Sequence, residues 1–94
     1  MYPLIETRRQ AILEIAARYG LTNVRVFGSV ARGDAGENSD VDLLVTLPPG
    51  VSGLALGGLL MDVQELTGRR VDVTSDDGLH RLIRERVWKE ARPL

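Results

Sequence analysis

The segment DVDLLVTL, residues 40–47, constrains the fold of this chain more than any other part of it. As a strand, it points Val41, Leu43, Val45 and Leu47 to one face, and Asp40, Asp42, Leu44 and Thr46 to the other. A strand covered by helices on both faces is typically apolar throughout. The alternation therefore predicts a sheet with helices packed on one face and a second face at least partly open to solvent or ligand.

Apolar spacing and turn residues divide the rest of the chain into alternating helices and strands. We predict helices over 3–19, 52–66 and 78–94, strands over 23–28 and 69–75, a short helical turn over 29–33, a loop over 34–39, and a turn over 48–50. The order αβ(α)βαβα predicts one α/β (α+β) domain over 1–94, with two layers, a small mixed sheet and helices on one face.

Composition narrows the chemistry that is open to the chain. The formal net charge is -1 over 94 residues, which gives no support to a general nucleic-acid-binding surface, so direct nucleic-acid binding is not expected. The absence of cysteine excludes disulfides, thiolate metal sites and cysteine nucleophiles, and the single His80 argues against a multi-histidine zinc site. Neither a secretory signal nor a bilayer-spanning apolar run is visible, so we expect a cytoplasmic protein without membrane contact.

Three aspartates form a candidate metal site. Asp40 and Asp42 lie on one side of their strand, and Asp72 joins them if the strand of 69–75 lies alongside with its valine face matched. Oxygen ligands without histidine or cysteine favour a hard cation, and Mg²⁺ is the best candidate. A solvated strand face is the alternative interpretation of an Asp-x-Asp pair.

Gly28-Ser29 precedes these aspartates, where a strand passes into a short helical turn. Glycine lets a phosphate approach the backbone, and a serine hydroxyl can donate to a phosphate oxygen. The alternative is a turn with a serine N-cap. Arg32 could reach a phosphate as well, although an arginine in a helical turn more often pairs with a surface carboxylate.

The combined pattern closely resembles the nucleotidyltransferase superfamily that includes DNA polymerase beta. The resemblance rests on Gly28-Ser29, ten intervening residues, Asp40-Val41-Asp42 and the later Asp72. Its short intervening segment is similar to the minimal nucleotidyltransferases (MNT), which in prokaryotes commonly pair with HEPN-domain proteins as antitoxin and toxin.

The resemblance implies a nucleotidyltransferase fold and a Mg²⁺-dependent transfer of AMP from ATP, with two ions held by Asp40, Asp42 and Asp72. It also implies that Gly28 and Ser29 fix the nucleotide phosphates and that a tyrosine of an RNase-like HEPN toxin is the acceptor, in a hetero-oligomer. Two other functions stay open: neutralisation of the toxin by binding alone, and transfer to a small molecule such as an aminoglycoside. The apolar helix over 52–66, with its adjacent Gly57 and Gly58, gives some support to binding, since a partner helix could approach these glycines closely.

Overall fold

The computed structural model of the chain describes residues 3–33, 39–78 and 81–94. The predicted loop over 34–39 therefore lies outside the described residues except for Ser39, and so do Leu79 and His80 of the last predicted helix. The elements run α1 (Pro3–Arg18), β1 (Thr22–Phe27), α2 (Gly28–Arg32), β2 (Val41–Thr46), α3 (Leu54–Thr67), β3 (Val71–Ser75), a 3-10 turn (Asp76–Gly78), α4 (Arg81–Glu90) and β4 (Arg92–Pro93). In these ranges, none of the helices has the length and apolar character that crossing a bilayer requires.

Within the described residues, the strands form a single mixed sheet in the order β3-β2-β1-β4. Strand β1 is antiparallel to both β2 and β4, whereas β2 and β3 are parallel and are connected through α3. The predicted fold class and element order are thus confirmed, and β4 is an addition to them.

The core lies between one face of the sheet and the helices α1 and α3. The alternating residues of β2 enter it as predicted, since Val41, Leu43 and Val45 are fully buried there. Ile12 of α1 and Leu59 of α3 are fully buried in the same cluster. Burial of this apolar stripe fixes which way β2 faces, and it leaves Asp42 on the opposite side of the sheet.

The opposite face is less open at its centre than the alternation suggests. Leu44, which lies on this face, is only 1% exposed although it is not part of the main core cluster. Arg25 lies directly opposite it on β1, and the guanidinium carbon of Arg25 is 4.6 Å from the centre of the Trp88 ring. Arg25, stacked on Trp88, thus lies beside Leu44 on this face, whereas further along the face Asp42 is half-buried and Asp72 is exposed.

The helix that we predicted to continue to residue 94 ends at Glu90. Pro93 cannot donate to a helical hydrogen bond and disfavours helical geometry at Arg92, so these two residues are extended and pair with β1. The Leu94 amide then donates to the Val24 carbonyl at 3.0 Å. The prediction of a helix was therefore wrong for the last four residues, among which β4 pairs with the outer edge of β1.

Candidate functional site

The register of two parallel strands places the predicted carboxylates at one end of the open face. Asp42 of β2 is directly in register with Asp72 of β3, and Asp40 lies just before the start of β2. Asp40 and Asp42 are half-buried, whereas Asp72 is exposed. The arrangement is the one that matched valine faces predict, because Val41 and Val73 both point to the core side.

Partial burial and the neighbouring carboxylates act on Asp42. Partial burial raises the pKa of Asp42 above its ordinary value, and the negative charges of Asp72 and then Asp40 raise it further. The Arg32 guanidinium acts in the opposite direction. The cluster thus carries negative charge that its own surroundings do not fully compensate, which is the condition that a bound cation relieves.

No group of three or more acidic or histidine side chains within the described ranges converges closely enough to hold a metal ion by itself. Mg²⁺ does not require such a group, because it keeps several waters and is commonly bound by one or two carboxylates together with substrate phosphates. The in-register Asp42 and Asp72, with Asp40 beside them, fit a Mg²⁺ ion that is shared with a phosphate ligand.

Gly28 lies against this cluster. It follows Phe27, which pairs with Asp42, and its φ of 70° lies in the left-handed region that favours glycine. A Cβ atom at this position would lie 2.5 Å from Oδ2 of Asp42, a distance that real Cβ atoms essentially never show. Gly28 therefore has to be small for a reason that the sequence did not reveal: the space is filled by the Asp42 carboxylate.

Ser29 is half-buried in the first turn of α2, next to Gly28. The alternative interpretation as an N-cap serine is wrong, because the N-cap position belongs to Phe27 and no side chain caps the helix there. Arg32 ends α2, and its Nη1 atom is 3.3 Å from Oε2 of Glu90 in α4. The surface ion pair that we considered for Arg32 is thus present, and its charge still acts on Asp42.

Sequence reasoning missed a second group of side chains on the same sheet face. Arg25 donates from Nε to Oδ1 of Asn23 at 3.1 Å while its guanidinium lies over the ring of Trp88. Asn23 adopts a φ of 52° where β1 carries a register shift against β2. An asparagine within a strand pattern was the available signal, since asparagine tolerates left-handed geometry better than most residues.

The match of the chain to a known family shows which class of enzyme this site is part of. Residues 8–94 match the family model described as "Nucleotidyltransferase domain". The chain belongs to this family. As a nucleotidyltransferase, it has the enzyme class that Gly28-Ser29 and the aspartates suggested, and its resemblance to the minimal nucleotidyltransferases is confirmed.

Two relatives of this nucleotidyltransferase have been named as protein adenylyltransferases. One, from Methanocaldococcus jannaschii, is provisionally named protein adenylyltransferase MJ0435; it is 35% identical over 83 residues, which cover 88% of this chain and 89% of the relative. The other is protein adenylyltransferase MntA of Thermococcus cleftensis, which is 38% identical over 77 residues, or 82% of this chain and 78% of the relative.

Solved structures share the fold. A protein provisionally described as a minimal nucleotidyltransferase superposes with a TM-score of 0.86 at 48% sequence identity, over 96% of this nucleotidyltransferase and 92% of that chain. A chain from a toxin-antitoxin crystal structure with AMP-PNP superposes with a TM-score of 0.77 at 19% identity, over 89% of this chain and 69% of that one. The second likeness is one of fold alone.

Proposed function

We propose that this nucleotidyltransferase is a Mg²⁺-dependent protein adenylyltransferase antitoxin that transfers AMP from ATP to a tyrosine hydroxyl of a HEPN-family RNase toxin and thereby neutralises it. The observation that carries the proposal is the in-register pair Asp42 and Asp72 on an accessible sheet face, with Gly28 against Asp42. The names of the two relatives support adenylyl transfer to a protein, and therefore an adenine nucleotide as the donor.

In this proposal the phosphates of ATP bind at the junction of β1 and α2. Gly28 and Ser29 fix these phosphates, with the Ser29 hydroxyl donating to a phosphate oxygen, and Arg32 can exchange Glu90 for a phosphate. Asp40, Asp42 and Asp72 would hold two Mg²⁺ ions. When bound, these ions supply charge neutralisation at the entering and leaving oxygens of the displacement.

The reaction is an in-line displacement at the α-phosphorus of ATP. The acceptor hydroxyl oxygen forms a bond to this phosphorus, the bond from the phosphorus to the oxygen that bridges to the β-phosphate breaks, and pyrophosphate leaves. Asp72 accepts the hydroxyl proton as general base. Its exposure suits this role, because an acceptor from another protein has to reach it.

Incubation of the protein with labelled ATP, Mg²⁺ and the product of the adjacent reading frame tests the proposal. We expect label on a tyrosine of the neighbour protein, and we expect no label with the Asp40→Asn/Asp42→Asn variant. Asp77→Asn is a matched control, because it removes a carboxylate beyond the far end of β3 while an amide oxygen can still accept the hydrogen bond from Ser75. Absence of label with the wild-type protein, together with neutralisation that persists in the double variant, would contradict catalysis.

One observation favours the second candidate, neutralisation by binding alone. Leu54 and Met61 of α3 are 86% and 64% exposed, and their spacing of seven residues puts them on one face of the helix. In this case the Asp40→Asn/Asp42→Asn variant still neutralises the toxin, whereas a Leu54→Gln/Met61→Gln variant does not.

A further inference from the structure

Arg25 is held in a defined position on the open face of the sheet. Its Nε atom donates to Asn23, its guanidinium lies over Trp88, and Asn23 in turn donates from Nδ2 to Oγ1 of Thr46 at 3.4 Å. The Thr46 hydroxyl donates to Oδ2 of Asp76 at 2.8 Å. Residues of β1, β2, the 3-10 turn and α4 thus form one hydrogen-bonded and stacked group around the arginine.

The charge of Arg25 is not matched by a carboxylate in the part of the chain that the structure describes. The ion pairs found there join other residues, and Nε of Arg25 is used by the neutral amide oxygen of Asn23. When a guanidinium stacks on an indole, the Nη1 and Nη2 atoms at its edge can still donate hydrogen bonds. These two donors suit bidentate binding of an anion.

Along the strand direction, Arg25 and Gly28 lie on opposite sides of the row formed by the paired residues Phe27 and Asp42. Gly28 follows Phe27, the residue opposite Asp42, whereas Arg25 is opposite Leu44, two residues further along β2. At the rise of a strand this displacement is about 7 Å. If the phosphates of ATP bind on the Gly28 side of Asp42, Arg25 lies on the side away from the phosphates, where its terminal nitrogens are open to an acceptor protein.

We propose that Arg25 binds a carboxylate of the acceptor protein close to the acceptor hydroxyl and thereby selects the acceptor. This inference rests on the proposed function and deepens it: the protein substrate carries an Asp or Glu side chain within reach of the modified residue. Arg25 is a specificity-determining residue, and Asn23 and Trp88 are positioning residues that hold its guanidinium.

Steady-state transfer kinetics of the wild-type protein and the Arg25→Gln variant test this inference, with ATP and the product of the adjacent reading frame varied in turn. We expect the KM for the acceptor protein to rise roughly tenfold or more, as for loss of a charge-assisted hydrogen bond, while the KM for ATP stays within about twofold. Arg8→Gln is the matched control, because it removes an exposed charge from α1, on the other side of the sheet, and should change neither KM.

A second variant separates position from charge. The Asn23→Gly variant removes the side-chain oxygen that accepts the hydrogen bond from Arg25, while glycine adopts the left-handed backbone angle freely. We therefore expect a folded protein whose KM for the acceptor protein rises severalfold. Thermal unfolding of each variant checks that the fold is retained.

Transfer by the Arg25→Gln variant with an unchanged acceptor KM, or with a raised KM for ATP instead, overturns this inference and leaves the proposed function intact. An equal effect of Arg8→Gln overturns it too. If the wild-type protein transfers nothing, the proposed function is contradicted. Calorimetry then tests the inference separately, by measuring the affinity of the Arg25→Gln variant for the neighbour protein. Weaker binding than that of the wild-type protein supports a carboxylate contact, and unchanged binding rejects it.

Discussion

The contact between Gly28 and Asp42 makes a quantitative prediction for the Gly28→Ala variant. An alanine at a φ of 70° costs about 1–2 kcal/mol in backbone strain. Its Cβ would also lie 2.5 Å from Oδ2 of Asp42, so the carboxylate has to rotate away, at a cost of about 0.5–1.5 kcal/mol for an unfavourable rotamer. The variant should therefore lose about 1.5–3.5 kcal/mol of unfolding free energy, and because Asp42 is displaced, transfer should fall about a hundredfold.

Urea or thermal unfolding measured by circular dichroism checks the stability, and transfer of label from ATP checks the activity. Gly33→Ala is the matched control, because Gly33 has a φ of 81° with nothing within 4 Å of a new Cβ. It should show the backbone strain alone and retain transfer. In an Asp42→Ala background, Gly28→Ala should likewise cost only the strain. Equal costs in both backgrounds, or transfer at the wild-type rate by Gly28→Ala, would refute the reasoning.

Three further variants test the electrostatics and packing. Burial and the charge of Asp72 raise the pKa of Asp42, so its ionised form destabilises the metal-free fold at neutral pH. The Asp42→Asn variant should therefore have a higher Tm than the wild-type protein in EDTA at pH 7, and this gain should shrink as the pH falls towards 4. A lower Tm of the variant at pH 7 would contradict this. Gly57→Ala should stabilise the protein by about 0.5–1 kcal/mol in urea unfolding, because a Cβ there meets open space in a helix. Gly58→Ala should forfeit that gain, because its Cβ would overlap the Tyr19 ring; stabilisation equal to that of Gly57→Ala would show that the ring moves without cost.

The sequence was sufficient for the parts of the fold that follow from local pattern. Alternation along β2 and β3 separates the valines from the aspartates, and once the valine faces share one core, Asp42 and Asp72 lie on the same face. Alternation leaves shifts by two residues open, and the structure is what sets Asp42 in register with Asp72. The family motif of Gly28-Ser29 and the aspartates also has a fixed spacing, so the class of enzyme was accessible. The roles of these residues in catalysis stay predictions.

What the sequence could not supply depends on contacts between distant residues. Our suggestion that a partner helix accounts for the two adjacent glycines of α3 does not hold for Gly58, where the close neighbour is the Tyr19 ring of the same chain. Tyr19 donates to Oδ2 of Asp62 at 2.7 Å, 43 residues away, and no local pattern announces such a pair. The pairing of β4 was equally hidden, because a two-residue strand has no alternation, although Pro93 was a signal that the helix stops before it.

The position of β3 in the sheet has a consequence for how activity responds to partial unfolding. This strand lies at an end of the described sheet, pairs with β2 alone, and carries Asp72, whereas Asp42 and Gly28 are tied to the central strands. Edge strands can open locally at a lower free energy than the whole domain unfolds. An opening of β3 would separate the proposed general base from the proposed nucleotide site while most of the core stays packed. Mild denaturant should therefore switch off transfer before it removes the circular dichroism of the fold, leaving a molecule that still binds nucleotide and no longer modifies its partner.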